Sequence, residues 1–385
     1  MRVSVRHDVA PEGLRHALES VRVLLVRVGA TFGAWPRPVR VLVLFAVLLV
    51  QTGVDFETQN TTTSYLPASQ ALPRPIGFYS VSLGNLLIAD LLRVHTVTGW
   101  MALHLVLTAA VLLATLTAVD RRARGGALAL VLAASPATTL LLLHIGRYDP
   151  ITYLGAVLLV LAGSDRAAIF GAVIMALGNP EQAVLAALAL LALTHAPQFR
   201  QWRHRARTAT IAVVVAYVLG EAWMLGYGVT ANRLTLLPLF LMRSLAAFAI
   251  APKVSVWSWQ ALLWVIDLIA IVATPRSSRR WTTIALVGLP AIAAFLTLDG
   301  ARVFALVSLP VSLVVGLWLI GELEHRPRLL VPITGAAVIA VLLVPATVDG
   351  WGAIGSGVSG ALQAASPVFN GWVHAVAHQV RAGLA

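Results

Sequence analysis

Apolar runs recur along the whole chain, many close to the roughly 20 residues a helix needs to cross a bilayer, and short arginine clusters separate them. Few folds accept that pattern. Hydrophobic residues make up 59% of the 385 residues and charged residues only 11%, with a mean hydropathy of +0.85. A soluble domain of this size carries about a quarter charged residues. The runs are continuous rather than alternating, which argues against barrel strands. The chain reads as an all-α polytopic membrane protein.

The net charge of +12 could suggest a nucleic-acid partner, but the placement of the basic residues argues for no nucleic acid. They gather in "DRRARGG" (120–126), "FRQWRHRAR" (199–207), "PRSSRR" (275–280) and "EHRPR" (324–328), between apolar runs. Such loops face the cytoplasm. With the N-terminus inside, helices are expected at 39–54, 97–119, 126–145, 151–163, 166–178, 182–195, 208–229, 257–274, 281–298, 303–321 and 329–348, about 11 crossings. Of the 28 basic residues, only Arg74, Arg93, Arg147, Arg233, Arg243, Lys253, Arg302 and Arg381 then fall on the outer side. The expected location is the plasma (inner) membrane, multi-pass, with a cytoplasmic N-terminus.

Three parts follow: a cytoplasmic basic segment (1–38), a transmembrane domain (39–348) and an extracytoplasmic tail (349–385). In the first part Leu14, Leu18, Val21, Leu25 and Val28 form one helical stripe, the pattern of an amphipathic helix on an anionic leaflet. The first apolar run begins near Val39, too far in for a cleavable signal peptide, and reads as a signal anchor. The outer segments 55–96 and 230–256 are semi-apolar and are expected to hold interfacial helices. With no cysteine there is no disulfide framework, thiol catalyst or cysteine metal site. No HExxH pattern supports a metalloprotease.

The unusual polar groups cluster at outer helix junctions. "VDFETQN" brings Asp55 and Glu57 out of the first span, and "GRYDP" carries Arg147 and Asp149. "GNPEQ" carries Glu181 and Gln182 between two short helices, and "LDGAR" carries Asp299 and Arg302. Each loop alone is an ordinary turn sequence. Together, acids and arginines at one membrane depth point to a joint outward-facing cavity, because unpaired carboxylates are costly beside hydrocarbon. Within helices, Glu221 and Asp267 are structural contacts or site residues, and His104 and His144 read as core histidines.

Acids beside arginines suit transfer of a group from a lipid phosphate: a carboxylate takes the acceptor proton, and cations hold the leaving phosphate. The chain resembles the GT-C superfamily of membrane glycosyltransferases, which use polyprenyl-phosphate sugars on the extracytoplasmic face. The similarity lies in the span count, the long first outer loop and "DFE" just after the first helix, where relatives carry D-x-D or D-x-E. It implies Asp55 as general base, with Glu57 as alternative base or metal ligand. Arg147 and Arg302 would hold phosphate, and Asp149, Glu181, Gln182 and Asp299 would bind sugar hydroxyls or orient the arginines. No metal-ligand set is assigned; a divalent cation is left open as cofactor beside the polyprenyl-phosphate sugar donor. Membrane lipids, that donor and a glycan or lipid acceptor of the envelope are the implied partners. A lipid-linked sugar transporter or flippase, or a non-catalytic assembly subunit, are the alternatives; an acyltransferase lacks a placed His-Asp pair.

Overall fold

The computed structural model describes residues 12–122, 126–229, 237–250, 252–297 and 299–343. Those residues form an all-helical protein, with no strand among them. The tail at 349–385 and the start of the basic segment lie outside the described residues.

α1 (Glu12–Ala34) meets α2 (Arg37–Thr52) at a 116° bend around Trp35 and Pro36. The outer segment then folds as α3 (Thr58–Asn60), a π-turn and α4 (Leu66–Gln70), followed by a 3₁₀ turn and α5 (Leu83–Leu91). α6 (Val97–Asp120) leads to α7 (Ala127–Ala133) and α8 (Pro136–Leu143). α9 (Asp149–Leu161), α10 (Asp165–Gly178) and α11 (Pro180–Leu193) form three short antiparallel rods, and α12 (Arg203–Gly226) follows a 3₁₀ turn. α13 (Leu237–Ile250), α14 (Pro252–Gln260), α15 (Leu263–Ala273), α16 (Arg276–Thr283) and α17 (Leu289–Phe295) precede α18 (Gly300–Glu324) and α19 (Pro327–Leu343).

α18 is the axis of the fold. Every residue from Arg302 to Gly316 is buried, the condition in which a helix can be apolar on all sides. α9 and α11 pack against it, and α10 packs on α9 and α11. Between α9 and α10 the backbones nearly touch: a Cβ on Gly171 would stand 2.6 Å from the Leu159 amide nitrogen. Side-chain caps start α10 and α11, with Ser164 Oγ accepting from Ala167 N at 3.3 Å and Asn179 Oδ1 from Gln182 N at 3.2 Å.

Among the described residues, three helices are long and apolar enough to cross a membrane, Val97–Asp120, Pro197–Gly226 and Gly300–Glu324; the bent pair α1 and α2 would make a fourth. Two expected helices differ. The one placed at 126–145 is broken into α7 and α8, because Pro136 has no amide hydrogen and Ser135 Oγ caps Ala137 N at 3.2 Å. The one placed at 257–274 is interrupted after Gln260, where Ala261 adopts a left-handed φ of 46°. On the side where the sequence puts the cytoplasm, Arg40 clamps Asp120 through Nε at 2.9 Å and Nη2 at 2.9 Å, and Arg40 Nη1 donates to Trp35 O at 2.6 Å. That clamp fixes the α1–α2 bend to the end of α6.

Candidate functional site

The loops leaving α2 and α8 are tied side by side. Asp55 N donates to Leu142 O at 3.0 Å, Ile145 N to Asp55 O at 3.0 Å and Glu57 N to Ile145 O at 2.8 Å. This strand-like pairing brings Glu57 beside Arg147, two residues past Ile145. Gly146 enters the loop at a φ of 107°, and its carbonyl accepts from Trp100 Nε1 at 2.8 Å, so α6 holds the loop from below. Asp149 opens α9 and Asp299 stands just before α18, whose first turn carries Arg302; the Asp299 side chain makes no capping bond to that helix.

These pieces converge in a chain of ion pairs. Arg147 Nη2 donates to Glu57 Oε2 at 2.7 Å, and Arg147 Nη1 donates to Asp299 Oδ2. Arg302 Nε donates to the same Asp299 oxygen at 2.8 Å, and Arg302 Nη1 to Asp149 Oδ1 at 2.5 Å. Asn60 Nδ2 adds a bond to Glu57 Oε1 at 3.1 Å. The Arg302 guanidinium lies 5.6 Å above the Tyr148 ring, a cation–π contact. Three carboxylates and two guanidiniums leave the group with one net negative charge.

The charges set the titration. Burial works to raise Asp299, but the Arg302 and Arg147 guanidiniums outweigh it and hold the carboxyl far below the usual range. Glu57 behaves alike: burial opposes, and the hydrogen bond and charge of Arg147 lower it.

Asp55 stands apart. Its side chain is exposed, Oδ1 accepts only from Phe56 N at 2.8 Å, and Oδ2 has no partner among the described residues. The two-residue alternation of the pairing keeps it on the same side of the segment as Glu57. Glu181 is half-buried in the first turn of α11, and the neighbouring Gln182 is buried with Oε1 unbonded. Neither Asp55 nor Gln182 joins the ion-pair chain.

Below the ion pairs lie buried polar groups, two of which, Asn85 and Thr152, the sequence did not single out. Asn85 has both amide atoms unbonded, as are Asp149 Oδ2, Thr152 Oγ1 and His104 Nε2. All four side chains are at most 2% exposed. Buried polar atoms are nearly always bonded, so these unbonded atoms mark a polar region of the packed interior. Aromatic rings wall it: Tyr65 stacks on Trp100 at 6.1 Å and meets Tyr148 edge-on at 5.8 Å, while His104 stacks on Trp100 at 4.4 Å. Asn85 and Thr152 escaped sequence reasoning because single polar residues in apolar helices carry no spacing signal.

Among the described residues, no three histidine, aspartate or glutamate side chains converge to hold a metal ion. Glu57, Asp149 and Asp299 each face a guanidinium, which would repel a divalent cation, so a cation does not fit these three donors as arranged. No family model, curated protein or solved structure matches the chain.

Proposed function

We propose that the chain is a membrane glycosyltransferase of GT-C type, moving a sugar from a polyprenyl-phosphate donor to an envelope glycan or lipid on the extracytoplasmic face. What carries the reading is the meeting of "DFE", "GRYDP" and "LDGAR" in one ion-paired cluster at the ends of α8, α9 and α18. On this reading the short helices complete about 11 membrane crossings, and the cluster sits at the outer surface, where an amphiphilic donor presents its phosphate.

The Asp55 carboxylate takes the proton of the acceptor hydroxyl as its oxygen bonds to the anomeric carbon. The bond from that carbon to the phosphate oxygen breaks, and its electron pair leaves with the phosphate. Arg147 and Arg302 hold the growing negative charge. Both arginines are already matched to acids, so phosphate binds by exchange. Arg147, with 15% of its side chain exposed against 7% for Arg302, is the one that turns outward. The unbonded atoms of Asn85, Asp149 and Thr152 supply hydroxyl contacts. The test is release of polyprenyl phosphate from a panel of labelled donors by the reconstituted chain. Asp55→Asn is expected to abolish release with unchanged thermal unfolding, and full release by that variant removes Asp55 as base.

Transport of a lipid-linked sugar is favoured by a separate observation. Asp267 is fully buried within α15, with Gln260 Nε2 donating to its Oδ2 at 3.2 Å and Oδ1 unbonded. Thr108 and Thr115 of α6 are likewise buried and unbonded, on the same face as His104. A transporter would move labelled donor across a sealed vesicle without cleaving it.

A further inference from the structure

A second site lies away from the charged cluster. α1 crosses α19 where Gly29 and Gly335 meet; a Cβ on either would collide with the other helix's backbone, so the two helices are held in one relation. Beside that crossing, α1, α2, α7 and α19 diverge and enclose a cavity of about 340 Å³. Val28, Trp35, Val47, Leu130, Val338 and Leu342 are among its walls. Apart from the Trp35 indole, only Arg27 and Thr31 bring polar side-chain atoms to it.

Arg27 is the informative residue. It is exposed, has no ion pair or hydrogen bond among the described residues, and is the one charged residue lining this cavity. Around it Leu18, Val21, Leu24 and Val26 are exposed, an apolar surface that suits hydrocarbon rather than water. An apolar slot with one uncommitted guanidinium at its edge matches a molecule with a long apolar chain and a single anionic head. A zwitterionic head would bring its own cation against Arg27. A peptide would carry backbone amides, and the slot offers almost nothing to bond them.

We propose that this cavity binds an acyl chain of an anionic phospholipid, with the lipid phosphate held by Arg27. The lipid then acts as a wedge that fixes α1 against α2 and α19. This site does not depend on the glycosyltransferase reading.

The test is native mass spectrometry of the full-length chain, purified in detergent and supplied with phosphatidylglycerol or with phosphatidylcholine of the same chain composition. The wild-type chain is expected to retain one phosphatidylglycerol about fivefold more often than phosphatidylcholine. Arg27→Gln should bring the two lipids level, and Arg27→Lys should restore the preference. Filling the slot with Val47→Phe should lower retention of both. Phosphatidylglycerol carrying a photoactivatable group on its acyl chain should label α2 between Val43 and Val47, or α19 between Val338 and Leu342. Equal retention of the two lipids by the wild-type chain, an undiminished preference in Arg27→Gln, or labelling confined to other helices overturns the proposal. So does a lipid-free wild-type chain that instead retains a second copy of itself through this face.

Discussion

Arg302 joins more of the candidate site than any other side chain: it bonds Asp299 and Asp149 and covers Tyr148. Asp149 is buried and depends on it for charge compensation, so Arg302→Gln should destabilise the fold by about 3–5 kcal/mol, as loss of one partner from a buried pair does. The double variant Arg302→Gln with Asp149→Asn should recover part of that loss, because it removes the stranded carboxylate. Thermal unfolding of the two singles and the double in nanodiscs checks this, and simple additivity would show that the pair is not coupled. These partners were legible in the sequence because "GRYDP" and "LDGAR" each put an acid and an arginine into a tight loop between apolar runs. The division of labour inside "DFE" was not. Asp55 and Glu57 look alike as a motif, and only the pairing of Glu57 N with Ile145 O decides which carboxylate Arg147 grips.

At the scale of elements, the close α9–α10 contact and the buried Asn85 make opposite predictions. Gly171→Ala should lower stability by about 1–3 kcal/mol, because a methyl group there meets the backbone near Leu159 and Leu158. Asn85→Leu should raise the unfolding temperature, since it removes two buried, unbonded amide atoms, yet it should reduce donor turnover if those atoms serve substrate. A stability gain with unchanged turnover would make Asn85 a mere structural imperfection. Helix positions were largely legible from apolar runs and charge clusters, as with α6 and α18. The break before Pro136 was readable in principle, because proline cannot donate within a helix. The break at Ala261 was not, since alanine carries no turn signal and tertiary packing imposes its left-handed φ.

For the whole molecule, the cluster ties folding to pH. Asp299 and Glu57 hold protons less tightly when folded than when unfolded. The unfolded chain therefore takes up more protons on acidification, and stability falls as pH drops. Unfolding temperature should hold level above the ordinary carboxylate range and decline below about pH 4.5, where the unfolded glutamate starts to protonate. Substituting both carboxylates by amides should flatten that decline. The absence of cysteine allows topology to be mapped with single introduced thiols. A thiol at Gln59 should react with a membrane-impermeant reagent from outside intact cells, and one at Ser278 only after lysis.

The central claim is that the paired arginines at the ends of α8 and α18 receive the phosphate of a lipid-linked sugar. The most direct measurement is equilibrium binding of polyprenyl monophosphate to the chain in nanodiscs, compared between wild type, Arg147→Gln and Arg205→Gln. Arg205 is paired with Asp165 away from the cluster and serves as the charge control. The account predicts binding weakened at least tenfold by Arg147→Gln, as befits loss of a charge-assisted bond, and unchanged by Arg205→Gln. Equal affinity in all three would contradict it.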